Sequence, residues 1–243
     1  MKEITINDRW NLLLPEHREE MWDRMWEEEK LNSIAINVRS TDIVFEAGAE
    51  EGDQSALFAS WSKGIVLTEP SERYWPNIKA VFEANHLQSK VLFAFAGFFG
   101  DEIRTHGNPF HGDAPLWPKC SDGPISTEGG FCNIGERPDI SIITIDDTVM
   151  KLRTHPDVII MDVEGSELKV LKGAYRTLWR HHPLVYVSVH PEFMIEMYGE
   201  TREELIGYML DLDYTYRVLA NEHEIQFLFY PKEHKIKNGV VMR

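Results

Sequence analysis

The sequence predicts an α/β fold with a doubly wound, mainly parallel sheet, an N-terminal helix and an antiparallel hairpin at the C-terminal edge. Three observations support this prediction. Short apolar runs alternate with helical patterns after about residue 40, which is typical of parallel sheets. Two of these runs end in an acid followed by a glycine turn, at Glu46 and at Asp162. The last two runs lie close together along the chain, as the strands of a hairpin do.

Length and composition limit the organisation of the chain. Its 243 residues and 43% hydrophobic content are enough for one domain with a sizeable core. We expect a helical extension over residues 1–40 and the main domain over residues 41–243. The net charge of −15 disfavours binding to nucleic acid or to anionic membranes. The N-terminus has no signal-peptide core, so we expect a cytoplasmic protein. Cys120 and Cys132 could pair, bind a metal or remain free thiols.

The first half of the chain begins with a predicted helix. An apolar stripe that includes Trp22 and Trp26 predicts a helix over Pro15–Lys30. This helix could cover the sheet, cap the active site or pair with another subunit, so a homo-oligomer stays open. The remaining elements of this half are three strands, at Ile43–Glu46, Gly64–Thr68 and Lys90–Phe95, and two helices, one from Gln54 and one over Glu72–Asn85.

The second half repeats the alternation and ends in the hairpin. Its predicted strands are Asp139–Ile145, Val158–Met161, Leu184–Val189, Tyr214–Leu219 and Glu224–Tyr230. Its predicted helices follow Asp146-Asp147, span Ser166–Trp179 and span Arg202–Leu212. The polar run Asn221-Glu222-His223 predicts the hairpin turn.

A long segment at about residues 97–137 separates the two halves. It is dense in Gly, Pro, Asp and His, and it includes His106, His111, Asp113 and Trp117. Long loops without regular structure are often lids or binding segments. We therefore predict a lid-like insertion, with a passive surface excursion as the alternative.

The first glycine turn, Glu46–Gly52, favours a nucleotide-like ligand without phosphates. It matches neither GxGxxG nor GxxxxGK[ST]. Glu50, Glu51 and Asp53 surround the helix N-terminus that follows, and they would repel a pyrophosphate there. A cationic ligand without phosphate suits this turn, and S-adenosylmethionine meets both conditions. Glu69 ends the next strand, where its two acceptor oxygens suit the hydroxyls of a ribose.

These segments resemble the FkbM family of S-adenosylmethionine-dependent methyltransferases. The turn Glu46–Gly52 is similar to the family's Asp-Val-Gly-Ala-Asn-x-Gly, and Thr68-Glu69-Pro70 is similar to its Phe-Glu-Pro. Met161–Ala174 resembles the most specific block, Ile-Asp-Val-Glu-Gly-x-Glu-x-x-Val-Leu-x-Gly-Ala. The resemblance covers about Asp42 to Pro191. It implies a Rossmann-like class I methyltransferase sheet and methyl transfer to a hydroxyl of a sugar or other small metabolite.

The resemblance also implies where the cofactor would bind. The expected contacts lie at the ends of the first three strands and at the second acidic turn: Glu46, Gly48, Glu50, Gly52, Glu69, Pro70, Ala96 and Asp162. The chain departs from the family where Glu replaces Asp at position 46 and Asn at position 50. These longer side chains would crowd the methionine end of the cofactor unless Glu50 points away. The family's Glu-Val-His becomes Ser188-Val189-His190, which loses an acid and keeps the histidine.

Three residues are candidates for removing the proton of the acceptor hydroxyl, namely Asp162, His190 and Glu164. Histidine has an unperturbed pKa suited to base work near neutral pH. Each candidate also has a structural alternative, since Asp162 could anchor the turn and His190 could be a packed polar residue. Together the three could hold a divalent metal that lowers the pKa of the acceptor. Their spacing is not diagnostic, and no metal is predicted.

Two functions of other classes stay open. One is an oxidoreductase that uses NAD or a nucleotide sugar on a related fold, although the absence of GxGxxG speaks against it. The other is a non-catalytic module that keeps the fold for binding, motivated by Glu50 and by the Met- and Trp-rich first helix.

Overall fold

The computed structural model describes residues 1–22, 25–105, 117–118, 139–221 and 224–243. Its strands in these ranges are β1 (Lys2–Ile6), β2 (Trp10–Leu14), β3 (Ile43–Ala47), β4 (Gly64–Thr68), β5 (Val91–Phe95), β6 (Phe98–Phe99), β7 (Ile142–Ile143), β8 (Val158–Asp162), β9 (Leu184–Val189), β10 (Tyr214–Asn221), β11 (Ile225–Pro231), β12 (Lys235–Lys237) and β13 (Val240–Met242). Its helices are α1 (Glu19–Trp22), α2 (Glu28–Asn37), α3 (Asp53–Trp61), α4 (Trp75–Ala84), α5 (Ile145–Leu152), α6 (Glu167–Lys172), α7 (Tyr175–His181), α8 (Pro191–Phe193) and α9 (Arg202–Asp211).

The central sheet has seven strands in the order β10-β11-β9-β8-β3-β4-β5. The five strands from β9 to β5 are parallel, and β11 pairs antiparallel with both β9 and β10. The predicted α/β fold with a mainly parallel sheet and an antiparallel edge hairpin is therefore confirmed. The strand order reverses between β3 and β8, and in such sheets ligands bind outside the carboxyl ends of the strands at that point.

Helices cover both faces of the sheet, which explains the almost continuously apolar strands. Consecutive side chains of β3 point to opposite faces. Val44 packs in a cluster that includes α2, α3 and α4, whereas Phe45 packs in a cluster that includes α6, α7 and α9. Ile159 and Ile160 of β8 divide in the same way. These two apolar layers hold the ends of the strands, and the polar residues that follow them, at one edge.

The N-terminal region differs from its prediction. Residues 2–14 form the hairpin of β1 and β2, which the sequence patterns did not indicate. The prediction of one helix over Pro15–Lys30 is wrong, because α1 ends at Trp22 and α2 begins at Glu28. Between them Met25 and Glu27 have positive φ angles of 54° and 50°, which no helix accommodates. The break places Trp26, Glu27 and Lys30 at the cavity described below.

Three other elements also differ. The predicted strand Asp139–Ile145 shortens to β7, which pairs with β6 outside the central sheet. Thr144 then caps α5 by accepting the Asp147 N–H at 2.9 Å. The predicted helix Ser166–Trp179 divides into α6 and α7, and the C-terminal hairpin of β12 and β13 was not predicted. Most of the predicted lid-like insertion, including His106, His111, Asp113 and Cys120, lies outside the described residues.

Each helix in the described part of the chain is too short or too polar to span a bilayer.

Candidate functional site

A cavity of about 460 Å³ lies at the carboxyl ends of β3, β4, β8 and β9. It has two ends. The loop end consists of residues at or after the carboxyl ends of β3 and β4, namely Glu46, Gly48, Glu50, Glu69 and Pro70. The acidic end combines residues at or after the carboxyl ends of β8 and β9 with others from distant segments, namely Glu27, Lys30, Asp162, Glu164, His190 and Glu224.

Gly48 joins the two ends of the cavity. Its φ is +85°, and a Cβ on this residue would lie 1.9 Å from the carbonyl oxygen of Asp162. The N–H groups of Gly48 and Ala49 both donate to the carbonyl oxygen of Thr68 at 3.0 Å. The glycine turn is thus fastened to β4 on one side and lies against the end of β8 on the other.

Glu69 is buried beneath the glycine turn. Its Oε2 accepts the Glu50 N–H at 2.9 Å, and its Oε1 accepts the Ser71 N–H at 2.7 Å. Burial raises the pKa of Glu69 to about 8, and the two backbone hydrogen bonds oppose that rise. Each carboxylate oxygen has a second lone pair, so Glu69 can still accept hydrogen bonds from a ligand.

Glu46 is the other buried acid of the loop end. It is 3% exposed, and burial raises its pKa to about 8. Its Oε2 has no partner with hydrogen-bond geometry among the described residues, although the nearby Ser55 hydroxyl opposes the rise of its pKa. Buried polar atoms are almost always satisfied, so an unpaired oxygen beside a cavity indicates a place for a ligand donor or a water molecule.

Arg18 compensates the acidic turn. Its Nε donates to Asp53 at 2.9 Å and its guanidinium contacts Glu50 at 3.1 Å and Glu51 at 3.6 Å. Burial opposes its charge, but these three carboxylates raise the pKa of Arg18 above its ordinary value. The Trp22 indole N–H also donates to Asp53, at 2.8 Å. The Glu50 carboxylate is therefore directed to the N-terminal segment, which accounts for a glutamate at this position.

His190 is surrounded by carboxylates at the acidic end. Its Nδ1 lies 2.8 Å from Glu167 Oε1, and its Nε2 lies 3.1 Å from Glu224, 3.5 Å from Glu164 and 3.7 Å from Asp162. Burial opposes protonation, but the hydrogen bonds with Glu167 and Glu224 raise the pKa of His190 to about 11. At neutral pH the ring is an imidazolium, and in this state it cannot accept a proton. The structure thus argues against His190 as the base.

Asp162 and Glu164 remain able to accept a proton. Burial raises the pKa of Asp162 to about 7, and Lys30 and His190 oppose the rise. Burial likewise raises the pKa of Glu164 to about 7. Both side chains line the cavity and are about one-third exposed. A base whose pKa is near the working pH is the most efficient one.

Sequence reasoning missed three residues of the acidic end, namely Glu27, Lys30 and Glu224, and it also missed Gln226 beside them. Lys30 Nζ lies 2.5 Å from Glu27, 2.9 Å from Ser188 Oγ and 3.8 Å from Asp162. Gln226 donates to Glu27 at 3.0 Å and to Glu224 at 2.9 Å. One signal was available, because Lys30 precedes Leu31 and Ile34 on the buried side of α2, where a lysine is unusual. Nothing local identifies Glu27 or Glu224.

The acidic side chains of this end lie close enough to one another that a metal ion has to be considered. Asp162, Glu164 and His190 form one group with atoms within 4.8 Å of one another, and Glu27, Asp162 and Glu224 form a second. The ammonium of Lys30 already lies against the second group, and the imidazolium of His190 supplies positive charge to the first. The cations of this region are the protein's own, and we assign no metal ligand here.

Two of the expected cofactor residues do not line the cavity. Gly52 precedes α3, and a Cβ there would lie 3.0 Å from the Cα of Ile78. Ala96 packs against the hydrophobic core. The other expected residues, Glu46, Gly48, Glu50, Glu69, Pro70 and Asp162, all do line it. Trp117, from the predicted lid, packs on Trp75 and Phe82.

The fold is that of methyltransferases, as three solved structures indicate. Methyltransferase FkbM from Methylobacillus flagellatus KT superposes with a TM-score of 0.52 at 19% identity over 79% of our chain. An rRNA methylase from Streptococcus thermophilus has a TM-score of 0.50 at 9% identity, covering 83% of our chain and 93% of its own. A putative rRNA methylase from Clostridium thermocellum has a TM-score of 0.50 at 10% identity, covering 84% and 93%.

The family follows from the sequence itself. Residues 24–218 match the family model of the methyltransferase FkbM domain, so the chain belongs to the FkbM methyltransferase family. This confirms the resemblance. The chain spans 44% of the length of the Methylobacillus flagellatus protein. A search of curated proteins finds no match.

Proposed function

We propose that this protein is an S-adenosylmethionine-dependent methyltransferase that methylates a hydroxyl group of a sugar or another small metabolite. One observation carries the proposal. A single cavity joins two buried acids, Glu46 and Glu69, to Asp162, whose pKa of about 7 suits proton removal.

The residues of the cavity fit this cofactor. Eight acidic residues line it, together with the cations Lys30 and His190, and Arg18 pairs with two of them, Glu50 and Asp53. The other six are Glu27, Glu46, Glu69, Asp162, Glu164 and Glu224. Such a lining attracts a sulfonium and an amino group and repels a pyrophosphate. The unpaired Oε2 of Glu46 can accept a hydrogen bond, and the free lone pairs of Glu69 can accept two ribose hydroxyls. The same charge balance disfavours NAD and nucleotide sugars.

When bound, the cofactor supplies an activated methyl group on its sulfonium. The chain has to orient the acceptor and take its proton. Holding two reactants in line can contribute about 7–11 kcal/mol. Asp162 accepts the hydroxyl proton on a carboxylate oxygen, which is worth about 10²–10⁴-fold in rate. The imidazolium of His190 contacts both Glu164 and Glu224 and holds these two side chains in place beside Asp162.

The acidic end favours an uncharged acceptor with several hydroxyl groups. Carboxylates only accept hydrogen bonds, so they complement groups that donate. Phosphate, sulfate or carboxylate on the acceptor would be repelled by Asp162, Glu164 and Glu224. Two of the structural relatives are described as rRNA methylases. For this chain, a net charge of −15 supports a small molecule instead.

Isothermal titration of the protein with S-adenosylmethionine and with S-adenosylhomocysteine tests the cofactor. We expect dissociation constants in the micromolar range, and no binding of NADH in a parallel titration. The absence of binding at millimolar ligand would overturn the proposal, and binding of NADH alone would favour an oxidoreductase. A transfer assay with radiolabelled cofactor and a panel of neutral and phosphorylated sugars then tests the acceptor class.

The N-terminal 40 residues belong to the same proposal. Met21, Trp26, Glu27 and Lys30 line the cavity, and Arg18 binds the glycine turn. We infer that this segment completes the active site rather than forming an appendage.

A further inference from the structure

A lysine is buried beside Asp162, the proposed catalytic base. Lys30 is 2% exposed and lines the cavity from α2. Its ammonium has three partners, which are Glu27 at 2.5 Å, Ser188 Oγ at 2.9 Å and Asp162 Oδ2 at 3.8 Å. Ser188 is also the register partner of Asp162 across β8 and β9, so the lysine spans the tips of both strands.

Stability does not account for this lysine. A buried ion pair is often no more stable than the apolar residues that could replace it, because both charges lose their hydration. Here Glu27 adopts a positive φ of 50° and Gln226 donates to it at 3.0 Å, so several groups are arranged around one ammonium. Such a costly arrangement at a cavity points to a role in the reaction.

We propose that Lys30 is a positioning residue for methyl transfer: held by Glu27 and Ser188, its ammonium keeps the Asp162 carboxylate ionised and directed at the acceptor hydroxyl. This inference rests on the proposed function. It extends that function because it places the N-terminal segment, outside the most specific sequence block, in control of the base.

The expected pH dependence follows from the groups that face Asp162. Lys30 from α2 and His190 after β9 favour its ionised form, whereas Glu27 and Glu224 oppose it, as does burial, which raises its pKa to about 7. Glu164 lies on the same loop and contacts His190 at 3.5 Å. Removal of the Lys30 charge raises the pKa of Asp162 further, so the acidic limb of the kcat profile moves to higher pH.

The test uses the full chain with Lys30→Met, its conservative partner Lys30→Arg, and Lys169→Met on the opposite face of the sheet as the matched control. Because Lys30→Met leaves Glu27 without its cation, the double variant Glu27→Gln/Lys30→Met provides a second, charge-balanced background. Each variant is first checked by thermal unfolding and by titration with S-adenosylhomocysteine.

We expect Lys30→Met, compared with the wild type, to move the acidic limb of kcat upward by about one pH unit or more, which is about tenfold in rate on that limb. The double variant should move it in the same direction when compared with Glu27→Gln alone. Affinity for S-adenosylhomocysteine should change little, and Lys30→Arg should restore most of the profile. An acidic limb at the same pH in the folded double variant and in Glu27→Gln would overturn the inference.

A readout without turnover separates this inference from the proposed function. The ¹³C chemical shift of the Asp162 carboxyl, assigned with Asp162→Asn, is followed against pH in the ligand-free protein. A higher midpoint in the double variant than in Glu27→Gln alone supports the role of Lys30, even if no cofactor binds. Equal midpoints contradict it, even if the protein is an active methyltransferase.

Discussion

The two ends of the cavity are built in different ways. The loop end is made largely of backbone within one stretch of β3, its glycine turn and β4, and its hydrogen bonds run from the N–H groups of Gly48, Ala49 and Glu50. The acidic end is made of side chains from segments far apart in the chain, such as Glu27, Asp162, His190 and Glu224. A local backbone site has a sequence signature, whereas a site assembled from distant side chains has none.

The ends should also differ in what they control, since the loop end should govern cofactor affinity and the acidic end the rate of transfer. Four substitutions probe the two ends of the cavity.

Asp162→Asn should have the largest effect. The amide keeps the shape of the side chain but cannot take a proton, so we expect kcat to fall by about 10²–10⁴-fold. Affinity for S-adenosylhomocysteine should fall much less. The exposed Asp211→Asn, at the end of α9, is the control in the same kinetic assay. A kcat close to that of the wild type would give Asp162 a structural role only.

Gly48→Ala should disrupt both ends together, because Gly48 lies between them. The added Cβ would meet the carbonyl oxygen of Asp162 at 1.9 Å on a residue with a φ of +85°. We expect a loss of about 3 kcal/mol or more in the free energy of unfolding, measured by denaturant titration. Gly207→Ala is the matched control. Beyond its chain neighbours and its own helix, no atom of the described residues lies within 4 Å of its added Cβ, and within α9 alanine should stabilise by up to about 1 kcal/mol. Equal stabilities of the two variants would contradict the tight junction.

Glu69→Gln should weaken binding of the cofactor and leave the acidic end of the cavity unchanged. Its carboxylate accepts the N–H groups of Glu50 and Ser71, and a glutamine would direct an NH₂ group at one of them. If the substitution removes one hydrogen bond between Glu69 and a ribose hydroxyl, the cost is about 1.5–3 kcal/mol, which corresponds to about 10–150-fold in the dissociation constant of S-adenosylhomocysteine. Calorimetry should show this loss, while the pH at the acidic limb of kcat stays unchanged. The exposed neighbour Glu72→Gln should bind as the wild type does.

Glu46→Gln should change how stability depends on pH. Burial raises the pKa of Glu46 to about 8, above its value of 4.5 in the unfolded chain. The unfolded chain therefore loses this proton first, and the fold loses stability as pH rises from about 4.5 to about 8. We expect the ligand-free wild type to unfold at a lower temperature at pH 8 than at pH 5. Glu46→Gln should remove about 1–3 kcal/mol of this difference. If the unfolding temperature depended on pH in the same way in the wild type and in Glu46→Gln, Glu46 would be ionised in the folded protein.

The loop end was largely predictable from sequence. An acid, two glycines and a second acid at the end of the next strand indicate a site for a nucleotide-like ligand without phosphates. Three of these residues, Glu46, Gly48 and Glu69, line the cavity. Gly52 and Ala96 are not among the residues that line the cavity, and they pack against neighbouring residues. A motif includes residues that shape a turn as well as residues that contact a ligand, and sequence alone does not separate them.

The acidic end was predictable only in part. Asp162, Glu164 and His190 were expected at neighbouring strand ends, and they lie there. The positive charge of His190 was not expected from the sequence, because it depends on Glu167 and Glu224 at hydrogen-bond distance. The sequence pattern predicted one continuous helix that ended at Lys30, and it did not indicate a role for this lysine in the site. The break at Met25 and Glu27 contradicts the local helical pattern, and tertiary contacts of Glu27 and Lys30 accompany it.

Sequence patterns alone were enough for the strands of the central sheet, the two acidic turns and the family, because these depend on hydrophobic periodicity and on backbone conformations that neighbouring residues specify. The acids that meet, the charge of His190 and the lysine beside Asp162 depend on the tertiary structure. Desolvation and Coulomb energy depend on distances through space, and residues as remote in the chain as Lys30 and Glu224 set them.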